Sequence, residues 1–233
     1  MPDDGAGIHL TVLGATESVD DGRLADFYTY PESLRSCWVR GNMITSLDGG
    51  AADDGKSGGL AGPGDRAVFV QMREAADVIL VGAATVRVEN YSGAQLPVAA
   101  RQARQRRGQA EVPPLILTSA RTVEDTRCRL GAVAEVIDAS GPDPDSADSA
   151  RVLEILAERG LFRVLTEGGP LILGNLINND LLDELCLTVA PILVGGSAKR
   201  IVTGLGNVHT RMRRTHLLAD DDGYLYTRYV RAH

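Results

Sequence analysis

Apolar residues along this chain fall into short unbroken runs, set apart by glycine-rich or polar stretches and by segments with helical spacing. The run within residues 77–82 (Asp77-Val78-Ile79-Leu80-Val81-Gly82) is the clearest. Four consecutive apolar side chains suit a strand covered on both faces, as in a parallel sheet. Residues 38–44, 115–118, 162–165 and 185–191 read the same way, and 134–137 is a weaker strand. Helical spacing appears at 65–76, where Ala67, Val68, Met72 and Ala75 share a face, and at 152–156, closed by Gly160. Residues 216–230 alternate about Asp222-Gly223, a hairpin signal.

The intervening stretches read as connections. Residues 49–64 are glycine-rich, 82–91 form a loop with a helical turn, and 141–149 are a Pro/Asp/Ser linker. The basic run 101–109 is expected to be a solvated loop. Strands alternating with helices predict an α/β fold: one domain, a mostly parallel central sheet flanked by helices, and a C-terminal antiparallel hairpin. Residues 1–35 are polar and loosely patterned, with local structure near 24–28. They are read as an N-terminal extension to a domain spanning 36–233.

The strand at 162–165 runs directly into Thr166-Glu167-Gly168-Gly169-Pro170, followed by an apolar helical pattern through Leu171, Ile172, Gly174 and Asn175. Two glycines and a proline at the first helical position leave a bare helix N-terminus, whose free N–H groups favour a phosphate. Glu167 suits either of two jobs, capping that helix or facing a crevice, and the glycines, which allow close backbone approach, favour the crevice. Ligands in open α/β sheets sit beyond the carboxyl ends of the strands. Asp48, Gly82, Thr118 and Glu167 all fall at such ends. Ser46-Leu47-Asp48-Gly49-Gly50 reads by pattern as a turn. At a strand end, though, Asp48 would also suit an acid or an anchor for a nitrogen heterocycle. Gly82, Ala83 and Thr85 offer either a tight strand-to-helix turn or a surface for a cofactor.

A net charge of −7 argues against broad nucleic-acid binding, which relies on basic surface. Cys37, Cys128 and Cys186 are scattered, with no C-x-x-C. Each is expected to be a small buried hydrophobe, in keeping with a reducing cytoplasm. No metal-like cluster, secretory leader or bilayer-length apolar run is visible. The G-x-G-x-x-G, phosphate-loop, nucleophile-elbow and zinc-deaminase signatures are all absent.

The motifs in their order resemble the C-terminal reductase domain of the riboflavin-pathway deaminase-reductases. They are Ser46-Leu47-Asp48-Gly49, Arg73 in Met72-Arg73-Glu74-Ala75-Ala76-Asp77, Val81-Gly82 with Thr85-Val86, Glu167-Gly168-Gly169-Pro170, Leu182-Asp183-Glu184-Leu185, and Ala190 through Gly196. The resemblance implies a dihydrofolate-reductase-like fold, NADPH as hydride donor, no metal, a small-molecule substrate and a homodimer. On the cofactor side it places Ile44, Ser46, Gly59, Gly82, Ala83, Thr85, Glu89, Thr118, Ser119 and the cradle Gly168, Gly169, Pro170, Leu171, Ile172, Gly174 and Asn175. On the substrate side it places Asp48, Ser57, Arg73 and Glu167, with Asp48 and Glu167 as the catalytic carboxylates. The chain has Asn42 where the family often has Lys, Glu89 where it often has Asp, and no Arg between Arg87 and Arg101. The expectation is therefore an NADPH-dependent reductase of a pyrimidine or pterin-like molecule, related to the reduction of a ribosylamino pyrimidine phosphate. Dihydrofolate reduction and a catalytically idle NADPH-binding protein are the alternatives.

Overall fold

Among the described residues the sheet has eight strands, in the spatial order Glu135–Asp138, Pro114–Thr118, Val78–Gly82, Arg163–Thr166, Trp38–Thr45, Glu184–Val189, Leu225–Arg231 and Met212–Ala219. The computed structural model describes Val19 and residues 21–89, 95–110, 114–118, 123–130, 135–139, 148–204, 206 and 209–232. Six strands are parallel: β1 (Trp38–Thr45), β2 (Val78–Gly82), β3 (Pro114–Thr118), β4 (Glu135–Asp138), β5 (Arg163–Thr166) and β6 (Glu184–Val189). The hairpin β7 (Met212–Ala219) and β8 (Leu225–Arg231) adds antiparallel to β6. It turns about Asp222-Gly223 as expected and begins earlier than the alternation at 216 implied.

The helices are α1 (Asp21–Leu24), α2 (Pro63–Ala75), α3 (Ala83–Val88), α4 (Val98–Arg106), α5 (Val123–Leu130), α6 (Ser149–Glu158) and α7 (Pro170–Asn178). Strand alternation sends Val78, Leu80 and Val164 to one face, where α6 and α7 bring Val152, Leu156, Leu173 and Leu176. Ile79 and Leu165 point to the other, against Val68 and Met72 of α2 and the rings of Tyr28 and Tyr30. The Asp148 carboxylate caps α6 by accepting from the Ala150 and Arg151 amides at 2.9 and 3.2 Å.

The basic run is mostly solvated, as expected, but it lies largely on α4 and is not a loop, and one of its members, Arg104, is 1% exposed. Its guanidinium donates to the carbonyls of Arg73, Glu74 and Ala76 at the C-terminal end of α2 and to that of Ala110. A cation there meets the negative pole of the helix dipole and satisfies orphan carbonyls. Cys128 also differs from expectation: it is exposed, whereas Cys186 is buried and Cys37 half-buried.

Residues 21–30 pack into the same body. Arg40 and Glu184 are 0% exposed and paired at 2.5 Å, and Arg228 donates to both Glu184 oxygens at 2.8 and 2.9 Å. Four more N–H groups of the two arginines go to the carbonyls of Phe27, Tyr28 and Thr29. Trp38 Nε1 completes the carboxylate's shell at 3.0 Å. The Phe27 and Tyr28 rings sit edge-on to His216 at 5.2 and 5.3 Å. Burial, then Arg228, pushes the His216 imidazole down from 6.5 to about 4, with Glu184 opposing and Arg40 adding to the shift. The folded protein therefore holds it neutral while the unfolded chain protonates it, so stability falls as pH drops from 6.5 toward 4. His216→Phe should make the urea midpoint less sensitive to a change from about pH 7 to about pH 5. Equal sensitivity in the two proteins would contradict this account.

Candidate active site

Four strand ends open into one cavity of about 660 Å³, inside the roughly 300–1,000 Å³ usual for small-molecule sites. β2 ends at Gly82, β5 runs into Glu167, β1 continues into the turn 46–50, and β6 leads into the loop 190–204. These are carboxyl ends of parallel strands, where a crevice forms.

Glu167 lines the cavity and is fixed from behind by Arg73. Arg73 Nε and Nη2 donate to the two carboxylate oxygens at 2.6 and 2.7 Å. The side chains are 8% and 5% exposed. The guanidinium also lies 4.1 Å over the Phe69 ring and reaches the Gln95 carbonyl at 3.4 Å. A bidentate pair of this kind sets the plane of the carboxylate as well as its place. Arg73 is thus a support for Glu167 and does not itself line the cavity.

Beyond Glu167 the chain bends at Gly168, with φ +87°, and the Gly168–Gly169 peptide is cis. Gly82 N donates to the Gly168 carbonyl at 3.0 Å, joining the end of β2 to this bend. Gly169 precedes α7, Pro170 opens it, and no side-chain hydrogen bond caps it. A Cβ on Gly169 would lie 2.5 Å from Thr85 Oγ1, and one on Gly82 2.9 Å from Ile172 Cδ1. Thr85, Gly82, Gly169, Pro170, Leu171 and Ile172 all line the cavity, with Leu171 66% exposed. Glu89 and Ser57, expected on opposite sides of the site, meet: Glu89 Oε1 accepts from Ser57 N at 2.9 Å and Ser57 Oγ at 3.0 Å.

Asp48 has a different setting from the one expected. Its exposed carboxylate does not line the cavity. It accepts from Ser46 Oγ at 2.5 Å, Gly195 N at 2.6 Å and Val194 N at 3.2 Å. Those bonds hold its carboxyl down at about 2, an ionised group ill-suited to give up a proton at neutral pH. Asp48 staples the 46–50 turn to the loop after β6. Ser46 belongs to that staple, its hydroxyl also accepting from Gly50 N at 2.8 Å.

Several other expected residues also fall outside the wall. Met43 lines the cavity, so Ile44, the next residue on β1, faces the other way. Gly59 packs against Asp53. Gly174 sits where a Cβ would run into the Thr203 carbonyl, so it brings α7 and the loop 197–204 together. Asn175, one turn along α7, accepts from Asn179. Gly168 shapes the bend without lining the cavity. Of Ala83, which opens α3, and Thr118, which ends β3, only the backbone is described, and Ser119 lies outside the described residues.

The cavity also uses residues that the sequence reading did not single out: Met43, the turn 51–55, Val88, Val194, Gly195, Ser197, Ala198, Lys199 and Thr203. The available signal was the pair Gly195-Gly196, both at positive φ (59° and 62°), with a lysine three residues on. Among the described residues, no group of His, Cys, Asp or Glu side chains is placed to hold a metal, and no helix is long and apolar enough to cross a membrane.

Comparison with known proteins matches residues 37–226 to the model of the RibD C-terminal domain. The chain is 32% identical over 193 residues to riboflavin biosynthesis protein RibD of Bacillus amyloliquefaciens, covering 72% of this chain and 50% of that one. It is 26% identical over 182 residues to the 2,5-diamino-6-ribosylamino-4(3H)-pyrimidinone 5′-phosphate reductase of Archaeoglobus fulgidus, covering 66% of this chain and 80% of that one. It thus spans about half the length of the Bacillus relative. A pyrimidine reductase-like protein from Corynebacterium diphtheriae shares the fold, with a TM-score of 0.74, 24% identity, and coverage of 84% of this chain and 92% of the other. The ordered motifs, the glycine–proline bend and the matched span agree: this chain belongs to the RibD C-terminal domain family.

Proposed function

We propose that this chain is an NADPH-dependent reductase of a ribosylamino pyrimidine phosphate, working as a cytoplasmic homodimer. The observation that carries the reading is that a carboxylate with fixed orientation, Glu167, and an uncapped helix N-terminus, that of α7, face one cavity two residues apart. The residues fit a dinucleotide. The first turn of α7 offers backbone N–H groups to a pyrophosphate, and the missing side chain at Gly169 lets the Thr85 hydroxyl approach that helix start closely. The Thr85 hydroxyl would hold the same group from the β2–α3 side, with the bare Gly82 backbone allowing close approach. When bound, the cofactor supplies a hydride.

The protein's own part is positioning and charge. Glu167 accepts hydrogen bonds from the N–H edge of the heterocycle, and Arg73 keeps the carboxylate in the plane that such a contact needs. Met43, Val88 and Ile172 give the cavity apolar wall, which keeps water from the acceptor carbon. Glu89 ties the turn 51–59 to the end of α3 and so closes that side. Asp48 holds the opposite loop in place. The alternatives drawn from sequence, dihydrofolate reduction and an idle NADPH-binding protein, gain no specific support from this geometry.

Mixing the purified protein with NADPH and the pyrimidine phosphate, and following loss of reduced-cofactor absorbance, tests the reading. The expected result is oxidation that requires both partners. Failure of NADPH to bind would sink it.

A further inference from the structure

The cavity wall is rich in carboxylates and poor in cations. Asp53, Asp54, Glu89 and Glu167 line it, against a single cation among the described lining residues, Lys199. Arg73 supports Glu167 from outside the wall. Two loop amides, Val194 N and Gly195 N, are taken by Asp48 and so are closed to an anion.

Lys199 sits on a loop fastened to the rest of the site. Leu47 N donates to the Ile192 carbonyl at 2.8 Å, and Ala51 N donates to the Lys199 carbonyl at 2.7 Å. A Cβ on Gly50 would run into Val194, so the two loops are in direct contact. The backbone of Lys199 is therefore fixed at the mouth of the cavity, while its exposed side chain contributes to the lining and is tied by no ion pair among the described residues. Ser197, two residues before, adds a hydroxyl to the same wall. A compact ammonium on a flexible stem, presented by a rigid loop, suits a phosphate monoester.

We propose that Lys199 anchors the phosphate monoester of the substrate in this cavity. The assignment rests on the reductase reading above. The adenosine phosphate of the cofactor has the same chemistry, so the test must tell the two sources apart.

Lys199→Ala should raise KM for the pyrimidine phosphate about tenfold or more, with kcat little changed, the mark of lost uniform binding. KM for the dephosphorylated pyrimidine and the affinity for NADPH should stay as in the unaltered protein, and Lys199→Arg should recover most of the loss. Equal effects on the phosphorylated and dephosphorylated substrates would overturn the proposal. So would a fall in NADPH affinity with none in NADH affinity, because the ammonium would then serve the cofactor. Calorimetric titration with ribose 5-phosphate and with ribose separates this proposal from the reductase reading. If the protein prefers ribose 5-phosphate, and Lys199→Ala removes that preference, the anchor stands even where no NADPH is consumed.

Discussion

Glu167→Gln should leave a protein that still binds NADPH but turns over at about one-hundredth of the original rate or less, the usual cost of removing one preorganised group from a reacting centre. The amide keeps the size of the carboxylate but loses its charge and one of its two acceptor oxygens, so the Arg73 fork is met on one side only. The cofactor side should be nearly untouched, since the proposed reading places it on the backbone of Gly169 through Ile172, which line the cavity apart from the Glu167–Arg73 pair. Stability should fall as well. Both side chains are over nine-tenths buried, and a buried cation that loses its partner costs about 3–5 kcal/mol. Steady-state rates, NADPH titration and urea unfolding measured on one preparation check all three effects. A rate within about twofold of the original would remove Glu167 from the mechanism.

The second large effect is expected at Glu184, far from the cavity. Glu184→Ala leaves Arg40, 0% exposed, and Arg228 facing each other without the carboxylate between them. A loss of about 3–5 kcal/mol is expected, enough to threaten folding of a typical domain. Glu184→Gln is the gentler variant, and it carries the pH signature. Burial opposes ionisation of Glu184, but Arg40 and Arg228 outweigh it and hold the carboxyl below its ordinary 4.5. The stability it contributes is therefore present above pH 4.5 and is lost as pH falls through the lower folded value. Urea midpoints across that range should show a shallower acid loss in Glu184→Gln. An unchanged midpoint at neutral pH would mean that the triad contributes no net stability.

Both predictions concern residues whose importance shows differently in sequence and in structure. Glu167 could be read from the chain alone, because everything that marks it is adjacent: an apolar run before it, two glycines and a proline after it. Glu184 appeared only as one letter of a motif. Its role comes from Arg40, 144 positions away, and Arg228, 44 positions away. Arg104 failed in the same way. Its neighbours in sequence are basic and polar, which suggests water, yet its partners are the carbonyls of another helix some 30 positions back.

Asp48 is the sharpest case. Position at a strand end made it a candidate acid, and the turn pattern made it a bland loop residue. The structure puts it in a turn, as the pattern reads, and ties its carboxylate to backbone amides outside the cavity wall. Its partners lie 146 and 147 positions later, in a loop with no hydrophobic period to announce it. The same loop supplies Val194, Ser197 and Lys199 to the cavity, of which the sequence reading held only Val194, as one letter of a motif.

The parts that read correctly from sequence are those governed by local physics. Apolar period decided the strands, Pro170 and the glycines before it decided the helix start, and Asp222-Gly223 decided the hairpin turn. The order of the motifs carried the family. Only the tertiary structure decided which strand-end residues share a cavity, which carboxylate lines it and which is used as a staple, and which basic residues are buried. Those outcomes depend on burial and on hydrogen bonds between residues far apart in the chain, and a one-dimensional pattern does not carry distances of that kind.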